Sequence, residues 1–266
     1  MGDRAKRLTK GLALVAAGAV LGSSLYAVAA KQPPKVAKRQ PTPAHSIRDT
    51  GVGLPRIDSQ GTLGVGEFVQ PVRDYHDSGA YDSDLATVAG QARAFMQRQA
   101  KAVRAKAKRK CGTKPRCRPK LAIVLDIDET SLSNYSELNA SNFAGAGAAL
   151  ALAVATGDSP AIAPTLQLYQ RAKQMGIAVF FVTGRPPGVE PLTRQNLTSA
   201  GYTAPDGLYM KPSSDETIPF KSNARATIES QLRYRIIVNV GDQESDLTGG
   251  GADRSFKLPN PFYFIH

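Results

Sequence analysis

Tryptophan is absent from the 266 residues, cysteine occurs twice and histidine three times. Two cysteines cannot build a disulfide-rich mini-fold or a four-cysteine zinc site. His45, His76 and His266 are scattered without metal-ligand spacing, which argues against a multi-histidine zinc enzyme and a histidine-based hydrolase. Acid is scarce in one region in particular. Residues 98–120 hold Arg98, Lys101, Arg104, Lys106, Lys108, Arg109, Lys110, Lys114, Arg116, Arg118 and Lys120, with no Asp or Glu among them. These cations account for all but one unit of the net charge of +12, so the rest of the chain is nearly neutral. A nucleic-acid binder, the first inference from so basic a protein, is thereby weakened. With 42% hydrophobic and 21% charged residues, the chain can bury a sizeable core.

Residues 1–30 read as a targeting segment. Arg4, Lys6, Arg7 and Lys10 precede an apolar, alanine-rich run over 12–30, and Ala27-Val28-Ala29 has the small-x-small form of a signal-peptidase site. Lys31, Gln32, Pro33 and Pro34 then end any helix. A cleaved signal and secretion are expected; the run is also long enough for an uncleaved anchor. Residues 31–66, rich in Pro, Gly and Lys, read as a linker or surface arm, and 67–266 as the folded domain. Export makes a bridge between Cys111 and Cys117 reasonable across a Gly- and Pro-containing turn, with two free thiols as the alternative.

Order is expected from about Phe68. Asp82-Ser83-Asp84 is placed to cap a helix in which Leu85, Val88, Ala92, Phe95, Met96 and Val103 recur at helical spacing. The basic stretch extends that helix as a solvated end suited to its dipole. It also suits weak contact with polyanions or cell-envelope phosphates, with no specific nucleic-acid binding expected.

From 121 onward, strand and helix patterns alternate. Residues 121–125, 177–182 and 236–240 are continuous apolar runs of the buried parallel type. Helical patterns lie over 165–175, 190–200 and 222–232, with Gly176 and Gly201 at C-caps. This predicts an α/β fold, a doubly wound, Rossmann-like parallel sheet, whose ligand sits at the carboxyl ends of the strands.

Four polar clusters fall at those ends. Asp126-Ile127-Asp128-Glu129-Thr130 follows the first strand and Thr183-Gly184-Arg185 the second. Lys221-Ser222-Asn223 opens a helix, and Gly241-Asp242-Gln243-Glu244-Ser245-Asp246 ends the third strand. Paired carboxylates persist best when they share a cation or one holds a proton.

The spacing Asp126-x-Asp128-x-Thr130, Thr183-Gly184-Arg185, Lys221, Gly241-Asp242-x-x-x-Asp246 resembles the four-motif signature of haloacid dehalogenase superfamily phosphatases. The wording Asp-Ile-Asp-Glu-Thr-Ser-Leu-Ser-Asn, Phe220-Lys221-Ser222, Gly241-Asp242-Gln243 and Phe256-Lys257-Leu258-Pro259-Asn260-Pro261 resembles the secreted class B-like acid phosphatases. That group includes plant vegetative-storage-type proteins. The resemblance implies Asp126 as nucleophile, forming an aspartyl-phosphate, and Asp128 as general acid and then base. It implies Mg²⁺ held by Asp126, Asp242, the backbone carbonyl of Asp128 and, as a further ligand or orienting group, Asp246. Thr183, Gly184 and Lys221 would bind the phosphoryl oxygens, with Arg185 facing substrate or bracing the loop.

A short helical insertion is expected after the first catalytic strand, with the alanine run over 144–155 as a tightly packed helix. Asn134 and Tyr135 are candidates for touching the leaving group, and the tail over 256–266 reads as structural. A storage-like relative of weak activity and an envelope- or polyanion-binding protein are the alternatives to a secreted phosphomonoesterase.

Overall fold

The computed structural model describes residues 66–112, 114 and 118–265. The expected signal segment, the linker up to residue 65, and Cys117 lie outside the described residues. Among those described, no helix is long and apolar enough to cross a membrane.

The expected apolar runs form strands β1 (Leu121–Leu125), β2 (Ala178–Thr183) and β4 (Arg235–Gly241), nearly every residue of them buried. Their side chains alternate between two apolar layers, so a run apolar on every position is what a sheet covered on both faces requires. Ile123, Leu125, Val179 and Phe181 enter the larger layer, beneath helices α1 (Gly66–Asp77), α2 (Ala80–Cys111) and α5 (Ala163–Gln174). Ala122, Val124, Phe180 and Val182 enter the smaller one, with Ala224 and Ile228 of α7 (Thr217–Ser230). Two further strands, β3 (Gly207–Met210) and β5 (Ser255–Lys257), complete a parallel sheet of order β3-β2-β1-β4-β5. The order reverses between β1 and β4, the position where doubly wound sheets open a crevice.

Three local expectations are corrected. Asp82-Ser83-Asp84 does not cap α2: the helix starts at Ala80 after Gly79, which has a left-handed φ of 79°. Asp84 instead accepts a hydrogen bond from Tyr75 Oη at 2.7 Å, tying α2 to α1. Helix α7 begins at Thr217 rather than at 222, because Pro219 falls in its first turn, where a missing N–H costs nothing. Lys221 therefore projects from within that helix. Strand β3 had no apolar run to announce it; it is short, at the sheet edge and only half-buried.

The insertion after β1 comprises α3 (Tyr135–Ala140) and α4 (Ala146–Thr156), the second being the alanine run. The alanine helix buries Ala149, Ala153 and Val154, packs Ala146 and Leu150 against the core, and leaves Leu152 more than half exposed. Helix α6 (Glu190–Ser199) follows β2, and the four-residue α8 (Glu244–Leu247) follows β4.

Candidate active site

Register brings the polar clusters together. Leu125 aligns with Phe181 of β2 and with Val240 of β4, so Asp126, Thr183 and Asp242 leave the sheet within two residues of the same level. The Asp126 N–H still donates to the Val240 carbonyl at 3.0 Å, and Ser131 Oγ donates to the Asp126 carbonyl at 2.6 Å. Beyond Asp128 the chain turns at Glu129, which adopts a left-handed φ of 51°. Such a conformation costs of order 1–3 kcal/mol in a non-glycine residue and persists where surroundings impose it.

Lys221 Nζ donates to Asp126 Oδ1 at 2.8 Å and also to Asp246 Oδ1, all three side chains being nearly inaccessible. Asp242 is fixed separately. Its Oδ1 accepts from Thr130 Oγ1 at 2.9 Å, and its Oδ2 accepts from Gln243 Nε2 at 2.6 Å and Asn260 Nδ2 at 2.7 Å. Carboxylate oxygens of Asp126, Asp242 and Asp246 all lie within 4.8 Å of one another. Three carboxylates against one ammonium leave buried negative charge in excess. A divalent cation fits this set: the donors are hard oxygens, with no thiolate or imidazole among them. The Asp128 side chain stands outside the triad.

Asp128 is gripped by Arg185, whose Nη2 and Nε donate to its two carboxylate oxygens at 2.7 and 3.1 Å, and by Asn134 Nδ2 at 2.9 Å. Arg185 keeps 3% of its side chain exposed and Asp128 keeps 16%, so the carboxylate, not the guanidinium, is reachable from solvent. Arg185 thus braces the site floor. Thr183 is fully buried, its Oγ1 accepting from the Arg185 N–H at 3.1 Å. At Gly184 an added methyl would meet nothing within 4 Å, so no steric demand for glycine exists there. Gly241 is different: a Cβ would lie 2.2 Å from the Asp246 Cβ, and only glycine lets the α8 turn close over the end of β4.

The electrostatics follow from burial and neighbours. Burial, then the charge of Asp246, pushes the Asp126 carboxyl well above its usual range, against the pull of Lys221. Burial and Asp246 raise Asp242 to about 6, despite the amides of Asn260 and Gln243. For Asp128, burial is outweighed by the Arg185 charge and the hydrogen bonds of Arg185 and Asn134, and its carboxyl is held below the usual range. Burial pushes the Lys221 ammonium down, while Asp126 and Asp246 more than reverse it and keep it charged. Burial, with the charges of Asp128 and Asp242, lifts Glu129 to about 8.

Several site residues were not assigned from sequence. Glu129 accepts from the Asn134 N–H and from Tyr263 Oη, both at 2.7 Å. Asn134 is wholly buried, with its Oδ1 accepting from Ser159 Oγ at 2.9 Å; it supports Asp128 and cannot touch a leaving group. Tyr135 stacks on the ring of His76 at 3.4 Å, in α1. The tail, expected to be structural, also reaches the site through Asn260, Tyr263 and Lys257, whose Nζ donates to the Asp242 carbonyl at 2.9 Å. Thr130, Gln243 and Asn260 did stand within the motif wording, though without a role.

The chain is similar in sequence and fold to several known proteins. The chain is 32% identical over 208 residues to the Stem 28 kDa glycoprotein of Glycine max, covering 75% of each protein. It is 36% identical over 149 residues to Acid phosphatase 1 of Solanum lycopersicum, covering 53% of this chain and 58% of that one. Vegetative storage protein 1 of Arabidopsis thaliana is 30% identical over 148 residues, covering 53% and 54%. The fold is similar to that of the Class C acid phosphatase from Bacillus anthracis, with a TM-score of 0.59 at 18% identity over 76% of this chain and 87% of that one. A family model described as HAD superfamily, subfamily IIIB (Acid phosphatase), matches residues 62–266, and the chain belongs to that family.

Proposed function

We propose that this acid phosphatase hydrolyses phosphate monoesters through an acyl phosphate on Asp126, a reading carried by the Lys221 ammonium held between Asp126 and Asp246. A carboxylate attacking a phosphate meets repulsion of ~4 kcal/mol per pair of unit charges at ~4 Å and an effective dielectric of ~20. Lys221 offsets part of it. Mg²⁺, held by Asp126, Asp242, Asp246 and the main-chain carbonyl of Asp128, would supply further positive charge toward the phosphoryl oxygens when bound.

In the first step an Asp126 oxygen bonds to phosphorus while the ester P–O bond breaks, and protonated Asp128 gives its proton to the leaving oxygen. In the second, Asp128 as an anion takes a proton from water. The water oxygen bonds to phosphorus, the acyl phosphate P–O bond breaks, and free phosphate leaves an Asp126 carboxylate. Arg185 and Asn134 favour the anionic Asp128 that the second step needs. The negative charge of an arriving phosphate beside Asp128 disfavours its anion and favours proton uptake, as the first step needs. The Thr183 hydroxyl, the Gly184 amide and Lys221 bind the transferring oxygens.

Turnover of p-nitrophenyl phosphate with added Mg²⁺, abolished by chelator, is the expected result; activity indifferent to chelator would refute the metal assignment. The similarity to a vegetative storage protein favours a second reading, a storage-like relative of weak activity. Folded protein without turnover under those conditions would select it.

The chain is exported in this reading, with cleavage near Ala29, and protein from the culture medium should begin there; a full-length, membrane-retained product would indicate an anchor. A Cys111–Cys117 bridge predicts no titratable thiol before reduction and two after it. The basic stretch over 98–120 makes weak contact with polyanions or cell-envelope phosphates, through charge and without specific nucleic-acid binding.

A further inference from the structure

The last buried residue of α2 is Ala100. Beyond it, residues 101–111 continue as helix for ~16 Å, with Val103 alone packed against the core. This tip carries Lys101, Arg104, Lys106, Lys108, Arg109 and Lys110, which point around all sides of the helix at 100° per residue. None of them has an acidic partner among the described residues. Like charges four apart, as in Arg104 and Lys108 or Lys106 and Lys110, destabilise a helix, and nothing in the described structure relieves the repulsion.

The tip is continuous with a groove. Between α2 and α5 lies a cleft of about 400 Å³ lined by Arg93, Gln97, Gln167, Gln170, Arg171 and Gln174, with no acid among them. Arg93 Nη1 donates to Gln167 Oε1 at 3.0 Å and Arg171 Nη1 donates to Gln174 Oε1 at 3.3 Å. Two amide oxygens are thus occupied, and the groove presents N–H donors. Arg93, Gln97, Lys101, Arg104 and Lys108 follow one another at spacings of four, four, three and four, a single stripe along α2. Arg104 Nη2 donates to the Met175 carbonyl at 2.8 Å, which fixes the stripe to the end of α5.

This end of the protein is remote from the chemistry. Helix α5 leads into the start of β2, and Gln99 of α2 donates to Asp253 ahead of β5, so the tip lies at the amino ends of the strands. The candidate active site lies at their carboxyl ends. A polymer held here leaves the cleft open to substrate.

We infer that the groove and basic tip form one track for a flexible, phosphate-bearing polymer, which holds the enzyme on an anionic matrix with its active site facing outward. The inference rests on the weak polyanion contact proposed above and gives it a location. Cations on every side of a helix suit a chain that can wrap it, whereas a flat membrane engages one face. The tip has no apolar face for insertion into a membrane. It has no aromatic residue for stacking nucleobases.

The test uses the full mature protein and long-chain linear polyphosphate, with binding followed against salt. A groove variant (Arg93→Gln and Arg171→Gln) and a tip variant (Lys106→Gln, Lys108→Gln and Lys110→Gln) should each bind about tenfold more weakly. Each should also lower the slope of log affinity against log salt by roughly 0.7 per cation removed. Turnover of p-nitrophenyl phosphate should not change, thermal midpoints should not fall, and Asp126→Asn should bind as the wild type does. If the wild type fails to bind at low salt, the contact and the track both fall. Loss in the tip variant with none in the groove variant would remove the track and keep the contact. Tighter binding to anionic vesicles or single-stranded DNA than to polyphosphate would overturn the choice of partner.

Discussion

At the carboxyl ends of the strands, charge is buried and shared. Asp126, Glu129, Lys221, Asp242 and Asp246 are almost inaccessible, and each is tied to named partners from distant parts of the chain. At the amino ends, the α2 tip carries charge all of one sign, and none of it meets a counter-charge among the described residues. Both regions stand out in composition, but only the first is built to change protonation and bonding. Interior charge costs several kcal/mol to desolvate, so it survives where a function or a bound ion uses it. Solvated charge costs little, and its use depends on what arrives from outside.

The sharpest way to break this comparison is at its most buried pair. Asp126→Asn should reduce turnover to background with Mg²⁺ present while the protein stays folded by near-ultraviolet circular dichroism. Substantial metal-dependent turnover would mean that another group attacks phosphorus. Gly241→Ala should come next. A Cβ 2.2 Å from that of Asp246 forces one of the two to move, and a misplacement of ~1 Å near the chemistry costs ~10² in rate. Weaker metal binding should accompany the loss of rate; unchanged turnover would show that Asp246 has no positional role.

How much of this was legible in advance varies with the range of the interaction. The three central strands and the carboxylates at their ends follow from apolar runs and spacing, which are local in sequence. β3 was not legible, because an edge strand of four half-buried residues needs no apolar run. The roles of Asn260, Tyr263 and Glu129 were hidden for another reason. Tyr263 and Glu129 are 134 residues apart, and no periodicity encodes such a contact. Asn134 stands at the start of the insertion after β1, where a leaving-group contact is expected, yet its complete burial turns it inward toward Asp128.

A smaller effect sharpens the comparison within the site itself. Asn134→Ala removes a donor to Asp128 and leaves the Ser159 hydroxyl without its partner, at a cost of about 1–3 kcal/mol in stability. If Asn134 acts by holding Asp128, turnover of alkyl phosphates should fall roughly tenfold, a fraction of what loss of a general acid costs. p-Nitrophenyl phosphate, whose leaving oxygen needs little protonation, should be affected less. In an Asp128→Asn background the substitution should add almost nothing, because residues acting as a unit are not additive. An equal loss on both substrates would assign Asn134 to the fold alone.

The smallest expected effect concerns stability rather than rate, and its sign separates the two ends of the sheet. Asp242 is raised to about 6 and Glu129 to about 8, both chiefly by burial. Both exceed the unfolded values of 3.8 and 4.5, so the folded state binds more protons between those limits. Stability therefore falls as pH rises from about 4 to 8 in metal-free protein, by up to ~1.4 kcal/mol per pH unit for each of the two groups while it lies between its unfolded and folded limits. For a domain of this size each ~1.4 kcal/mol corresponds to roughly 3–6 °C in thermal midpoint. Mg²⁺, which stabilises the ionised carboxylates, should flatten the part of the decline due to Asp242. Glu129, outside the triad of Asp126, Asp242 and Asp246, should keep its part with metal present. Glu129→Gln should remove it, leaving the midpoint of the loaded protein nearly level between pH 6 and 8. The α2 tip lies at the other end of the sheet from these carboxylates, so charge-removing substitutions there should leave the profile where it was. A decline that survives both Mg²⁺ and Glu129→Gln would place its origin outside the site.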